Sequence, residues 1–411
     1  MDGLQKPGDV EIISIVILNN IGDTIDIYNQ FKGITIYESL FSNTMSGEIV
    51  VTDALNLLEN FNIIGQEKIV IKFKTPGKKQ LRINQFNIYK ISKRVLLKDR
   101  VLSYVLYFTS EEAISSLRKK ISKAYSGNIS EIASNIFINY LNNDTKKCFV
   151  EKTINSIDAI IPYWTPIYTM NWLASQATSE DKHINYLFYE TMNTFYFASL
   201  STLFKFEPVQ DFIYTPANIN NTKVNDIFRT VKNYNIKTSF DTIKNIKSGL
   251  FASKQRVIDI KHKYIKDINY NYEDNFKPEQ HLNKNMFINH KGDYNNIKYT
   301  EDYLSNYYYS FSENAKDINV YGLERISLLY QLQNVGILLD IYGDSELECG
   351  HIINFHVPVA APIYAENELD RYISGKFIIT AIRHDITKDD YSMLLEISKD
   401  GLENQLPDYV K

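Results

Sequence analysis

The chain has 411 residues, 44% hydrophobic and 23% charged, with a formal net charge of −4. That length holds about three domains of ordinary size, and the composition is that of a globular protein. The near-balanced charge excludes a chain that binds nucleic acid or a membrane surface along its whole length. Two cysteines, Cys148 and Cys349, lack CxxC spacing. They provide neither a disulfide framework nor a zinc site and fit a reducing compartment. No basic n-region opens the chain and no run approaches eighteen apolar residues. The expectation is a soluble protein made in a cytoplasm, without a membrane partner.

From Glu11 to Thr109, apolar or aromatic runs such as "EIISIVIL", "GEIVVTD", "EKIVIKFK", "FNIYKIS" and "LSYVLYFT" are separated by Gly, Asn, Asp and Pro. This predicts a sheet or barrel module over 1–110. Between Lys68 and Arg100 there are eleven Lys or Arg residues against one acid, Asp99. Solvated strand faces are the plain reading, and contact with phosphates or an acidic partner the sharper one. The period then turns helical. Asn128 and Glu131 form a variant capping box, and Ile129, Ile132, Ala133, Ile136, Phe137, Tyr140 and Leu141 share one face. "WTPIYTMNWLASQA" predicts a helix capped by Thr165 with Pro166 in its first turn. "NYLFYETMNTFYFASL" predicts a hairpin around Thr191, Met192 and Asn193. A helix follows at about 239–250, with Ser239 as cap and Gly249 as terminator. Residues 263–312, dense in Asn and Tyr, predict an irregular β insertion or a long surface excursion given to partner contacts. A short helix in "GLERISLLYQLQN" leads back to strands at "GILLDIYGDSELECGHIINFHVPV".

Self-similarity is the most informative feature. Gly47 opens "GEIVVTD", Gly65 precedes "KIVIKFKTP", and "FNIYKISKR" and "YVLYFTSEE" follow. Near the other end Gly336 opens "GILLDIYG", Gly350 precedes "IINFHVP", and "FIITAIRHD" and "YSMLLEISKD" follow. In this alignment Phe73 and Pro76 match Phe355 and Pro358, Phe86 matches Phe377, Tyr104 matches Tyr391, and Lys93 matches His384. The pattern reads as a duplicated β module. Were the protomer a cyclic trimer, three chains would supply six similar units about one axis.

No HExxH, GxSxG, P-loop or GxGxxG sequence appears, and no His or Cys cluster has metal-ligand spacing. No catalytic residue, cofactor or metal site is therefore assigned. Arg383, His384 and Asp385, which end "GKFIITAIRHDI", invite a hydrolytic reading in which a carboxylate orients an imidazole. Neighbours on a strand face opposite sides, so Asp385 is badly placed to orient His384. A structural or interface role is expected for Lys93, Arg94, Arg383 and His384, and for Phe73, Pro76, Phe86, Phe355, Pro358 and Phe377. Glu190 and Asp181, a conceivable glycosidase pair, read as solvated acids beside turns. His351 and His356 fall on opposite strand faces, His262, His281 and His290 form no tight pattern, and Trp164 and Trp172 read as core.

The "ELECGHIINF" to "SGKFIITAIRHDITKDDYSMLLEISKDGL" region, "IPYWTPIYTMNWLASQA" followed by "NYLFYETMNTFYFASL", and two β modules flanking a helical domain carry a resemblance. The chain resembles the baseplate hub proteins of contractile-tail phages, related to the trimeric base of type VI secretion spikes. The resemblance implies an α+β, mainly β chain with a tube-type β-barrel at 1–110 and a helical α+β domain with a hairpin at 111–205. A second, discontinuous barrel would comprise 206–239 plus 336–405, with 240–335 an inserted domain or long excursion. It further implies a homotrimer forming a hollow pseudo-sixfold ring that joins the tail tube or its initiator protein to the central spike protein. The ring would contact baseplate wedge proteins and let DNA pass without sequence recognition. It would reside in the virion tail baseplate after assembly in the host cytoplasm, acting by assembly rather than turnover. The alternative from another class is a tail-associated peptidoglycan hydrolase, a lysin. Against it, no added segment has Cys-His, Glu or zinc-binding character.

Overall fold

The computed structural model describes residues 6–97, 100–141, 146–214, 229–259, 263–287, 307–310, 316–359 and 369–404. The chain opens with β1 (Glu11–Leu18), β2 (Thr24–Asp26), β3 (Phe31–Ser39), β4 (Ser46–Asp53), the single-turn helix α1 (Leu57–Asn60), β5 (Lys68–Lys74), β6 (Arg82–Leu96) and β7 (Leu102–Ser110). A mixed segment follows: α2 (Glu111–Arg118), β8 (Ile121–Asn128), α3 (Ile129–Ile136), β9 (Lys147–Val150), β10 (Ser156–Trp164), α4 (Pro166–Gln176), β11 (Tyr186–Glu190), β12 (Thr194–Ser199) and α5 (Leu200–Leu203). Next come β13 (Gln210–Ile213), β14 (Asn233–Ser239), α6 (Thr242–Ser248), β15 (Ala252–Asp259), β16 (Tyr264–Asn271), α7 (Tyr272–Asn275), β17 (Tyr307–Ser310) and α8 (Lys316–Gln331). The last strands are β18 (Val335–Tyr342), β19 (Ile352–His356), β20 (Gly375–Ile386) and β21 (Tyr391–Lys399).

The repeated order is present in the strand pairing. Neighbours run β3-β4-β7-β6-β5-β1 in one module and β14-β18-β21-β20-β19-β13 in the other. Gly65 and Gly350, matched in the sequence, both take left-handed backbone, at φ +90° and +89°. β6 and β20 also share a bulge: Tyr89 is the extra residue in one and Thr380 in the other. Such a bulge pins the register. It makes Phe86 and Phe377 equivalent, opposite Ile69 and Ile353. It also moves the counterpart of Phe73 from Phe355 to the position of Val357, and that of Tyr104 from Tyr391 to Met393. A slip of two residues keeps every side chain on its own face, so the alternation in the sequence is blind to it.

The two modules are joined edge to edge. Ala381–Ile386, the second half of β20, pairs antiparallel with residues 34–39 of β3. All strands of both modules thereby belong to one 13-stranded sheet, running from β14 at one end to β1 and β2 at the other, with β19 and β13 branching from β20. Among the described residues this path does not close. Strands such as β4 and β5 alternate at period two between buried and half-buried residues. Their inner faces share one apolar core, which contains Phe73, Phe86, Phe355 and Phe377. Phe73 meets Tyr391 of the other module edge-on at 5.8 Å.

The mixed segment has its own core of Ile129, Ile136, Leu173, Phe188 and Phe195, against which Trp164 and Trp172 pack while still partly exposed. The predicted hairpin is β11–β12, with β9 added in parallel. Thr165 caps α4 by accepting from the Tyr168 amide, and Pro166 sits in its first turn. Asn128 does not cap α3. Strand pairing of β8 continues through Asn128, whose side chain accepts from Ser156 Oγ instead. α3 then runs into a π-helical turn, Phe137–Leu141. Ser239 likewise is not the next cap: β14 pairs through it to Val335, so Asp241 caps α6, which ends at Gly249 with φ +77°. The predicted insertion contains a three-stranded sheet, β16-β15-β17, over a small core of Leu250, Phe251, Tyr270, Tyr272 and Leu323. Asp99, His262 and His290 lie outside the described residues.

Candidate assembly interface

The Arg383-His384-Asp385 triplet lies in the joint between modules. Asp385 accepts from Thr35 Oγ1 at 2.9 Å and pairs with Arg383 at 2.9 Å on the surface. His384 is 1% exposed, with Nδ1 2.8 Å from the Tyr391 hydroxyl and Nε2 3.2 Å from Glu38 Oε1. A carboxylate does orient the imidazole, but it comes from β3 of the other module. Burial acts to raise the pKa of Glu38, and the hydrogen bond and charge of His384, with Arg82 and the Cys349 amide, more than offset it. The carboxyl is therefore held below its ordinary range. With both ring nitrogens engaged in an enclosed site, His384 fastens two strands together.

Arg82 completes the joint. Only 1% exposed, it donates from Nη1 to Glu348 at 2.7 Å and from Nε to the Ser345 carbonyl. Asn193 also donates to Glu348, and Thr75 and Ser345 exchange hydrogen bonds. Lys78 reaches Asp344 and Glu346, while Lys68 and Lys74 pair with Glu111 and Glu11. The basic stretch is thus partly consumed within the chain, and Arg82 is no surface residue at all. Lys90, Lys93 and Arg94 stay exposed.

Glu190 is also buried, contrary to the expectation of a solvated acid. At 1% exposure it accepts from Lys146 Nζ at 2.6 Å, from the Met45 amide at 2.8 Å and from Ser110 Oγ. A free hairpin end would have been wet; this one is covered by the first module. Asp181 is exposed and pairs with Lys205, so the two acids form no catalytic pair. Glu112, in the first turn of α2, is pushed up to about 7 by burial and by the charge of Glu190. The folded chain holds that proton to about pH 7, whereas the unfolded chain releases it near 4.5. The native state binds more protons in this window, so stability falls as pH rises through it. Glu112→Gln is expected to raise the melting temperature at pH 8 and to leave it nearly unchanged at pH 4. Equal shifts at both pH values in scanning calorimetry would show that ionisation is not the cause.

The in-chain joint has two open counterparts. β14 stands in its module where β3 stands in the other, yet among the described residues nothing pairs its outer edge. Beyond Ile88, whose amide donates to the Glu67 carbonyl at 2.8 Å, β6 stands where the second half of β20 does, and among the described residues no strand pairs the side facing away from β7. Tyr89, Val95 and Leu96 are 48%, 54% and 67% exposed on this half-strand, and Ile236 is 40% exposed on β14. Apolar side chains along an unpaired edge make a surface suited to strand pairing with another chain. Lys93, at φ +52° in a second bulge, and Arg94 lie on the open half of β6. Arg383 is at the surface of the in-chain joint, Pro358 is exposed, and Pro76 is half-buried. Phe73, Phe86, Phe355, Phe377 and His384 are interior and act as framework. Sequence reasoning missed Glu38, Glu348 and the β14 edge. Extending the repeat one strand outward, from β3 to β14, would have found the last.

No protein-family model matches the chain. Over 420 aligned residues it is 20% identical to the probable baseplate hub protein gp334 of Vibrio phage KVP40, covering 96% of this chain and 95% of that protein. Its fold is that of the tail protein from Neisseria meningitidis MC58, with a TM-score of 0.58 at 10% identity, covering 95% of this chain and 97% of that one. The 43 kDa tail protein of prophage MuSo2 from Shewanella oneidensis gives 0.52 at 11% identity, covering 95% and 100%. The chain is similar to a phage baseplate hub protein over nearly its whole length.

Proposed function

We propose that the chain is the structural hub of a phage contractile-tail baseplate, a homotrimer in which the β14 edge of each copy pairs with the open half of β6 in the next. The observation that carries this is the in-chain joint. β20 and β3 make once, within one chain, the contact that β6 and β14 leave unmade. Repeated head to tail, such a contact is heterologous, and three copies returning on themselves would close six like modules into a ring that leaves neither β14 nor the second half of β6 unpaired. In the ring, 1–110 and 206–239 with 336–405 would each act as a tube-type barrel, with 111–205 and the inserted 240–335 outside. The ring would join the tail tube or its initiator to the central spike, contact wedge proteins and let DNA through its bore without reading it. Its place would be the virion tail, after assembly in the host cytoplasm. The similarity to a probable baseplate hub protein of a Vibrio phage supports this setting.

Assembly, not turnover, is the mechanism. The triplet that invited a hydrolytic reading gives the peptidoglycan-hydrolase alternative no open site, because His384 is enclosed between Glu38 and Tyr391. Clearing of cell walls in a zymogram would revive it.

Arg383 lies opposite Tyr37 in the joint, and carrying that register across the repeat sets Ser92 opposite Thr238 in the next copy. A chain with both Ser92→Cys and Thr238→Cys is expected to oxidise into a covalent ladder ending at three copies on denaturing gels. Neither single variant should do so. No cross-link, or a ladder without an end, would defeat the proposal.

A further inference from the structure

We infer that Phe240 is the anchor of the copy-to-copy contact and that the loop 55–65 of the next copy receives it. The identity of the partner rests on the ring just proposed; the choice of residue rests on separate observations. Leu40 is the first residue past β3. At the in-chain joint its amide donates to the carbonyl of the bulge residue Thr380 at 2.9 Å. Its side chain is 1% exposed, and Cδ2 lies 3.6 Å from where a Cβ on Gly350 would stand. Leu40 is thus the knob that fills the loop before β19.

Phe240 is the first residue past β14. The register that sets Thr238 in the place of Tyr37 makes Asp241 the counterpart of Leu40, and the Asp241 side chain is occupied as the cap of α6, so its neighbour Phe240 supplies the apolar side chain at this end of the edge. It is held at φ +50°, a conformation that costs an aromatic residue energy and persists where its surroundings require it. Its ring packs edge-on against Phe287 and Tyr372, both at 5.8 Å, while Phe240 and Tyr372 remain 36% and 47% exposed. With Ile236 on the strand and Ile243 just beyond, this apolar surface continues the open edge of β14.

The receiving side repeats the parts of the joint. The bulge residue is Tyr89, and the left-handed glycine is Gly65, whose Cβ position would lie 3.4 Å from the Tyr89 carbonyl carbon. In its loop Leu55 and Ile64 are 56% and 68% exposed. The site before Gly350 is filled by Leu40 of the same chain; the site before Gly65 presents two uncovered aliphatic side chains. Buried aromatic anchors contribute disproportionately to such interfaces.

Phe240→Ser and Ile64→Asp change exposed residues, so both chains should fold, as circular dichroism would verify. Each is expected to weaken association roughly thirty-fold or more, so that sedimentation finds single copies where the unmodified chain gives three. Mixing them gives the sharper result. The Phe240→Ser chain keeps an intact receiving loop and the Ile64→Asp chain keeps its anchor, so one sound contact remains and the mixture should form dimers but no trimers. Trimers of Phe240→Ser alone, or a mixture that stays monomeric at every concentration reached, would overturn the inference. Should Phe240→Ser unfold, Tyr372→Ser replaces it in the same scheme. Failure of the ring itself looks different: the unmodified chain would sediment as one copy and the Ser92/Thr238 cysteine pair would not cross-link.

Discussion

Arg82→Met is expected to remove about 3 to 5 kcal/mol of unfolding free energy, because it strips one partner from a buried ion pair. Glu348, at 7% side-chain exposure, would lose its cation and keep, among the described residues, the hydrogen bond from Asn193, and the Ser345 carbonyl would lose its donor. An unpaired buried group costs its full desolvation penalty. The damage is regional as well as local, since Arg82 lies on β6 of the first module and Glu348 in the loop before β19 of the second. Urea denaturation measures it as a lowered midpoint at unchanged slope. Arg82→Met combined with Glu348→Leu is expected to recover much of the loss, because no buried charge is then left unpaired. A single variant as stable as the parent would mean that the pair only breaks even.

Gly47→Ala is expected to cost about 3 kcal/mol or more, a large effect for one methyl group. An added Cβ would stand 2.4 Å from the Thr35 carbonyl oxygen and 2.5 Å from Cζ of Phe108. Gly47 is paired on both sides, to Ile36 of β3 and to Phe108 of β7, so the strand cannot step aside without breaking a ladder. Phe108 in turn leans on Phe86 at 4.8 Å, which blocks its retreat. Adding Phe108→Leu should relieve the ring clash and leave the carbonyl clash, giving partial recovery in a thermal melt. An unchanged melting temperature for Gly47→Ala alone would contradict the packing described for β4.

The duplicated strand order was legible because glycines and short polar turns punctuate both copies alike, and Phe86 and Phe377 are equivalent as the pattern indicated. Residue register was less legible, since only the shared bulge at Tyr89 and Thr380 separates a match from its neighbour two residues away. Local signals succeeded where no strand competed: Thr165 caps its helix. They failed where one did, and Asn128 and Ser239 are drawn into β8 and β14 instead. Charged residues were misread for a different reason. Whether Glu190 is wet depends on Lys146 and Ser110, and the partner of His384 is 346 positions away on β3. Nothing in a local window reports such distances. The part of the candidate interface formed by Lys93 and Arg94 was visible through the repeat; the β14 edge lay in a stretch whose composition resembles a loop.

The joint between β20 and β3 has a further consequence for how an assembly would come apart. Its two halves belong to one covalent chain, so their effective concentration is fixed by the polypeptide and does not fall on dilution. A contact between β14 and β6 of separate copies has no such tether. Seams of two kinds would then alternate around the particle, one yielding only to unfolding and the other to dilution. Disassembly would proceed in whole-chain steps, with half of the edge-to-edge contacts carried away intact.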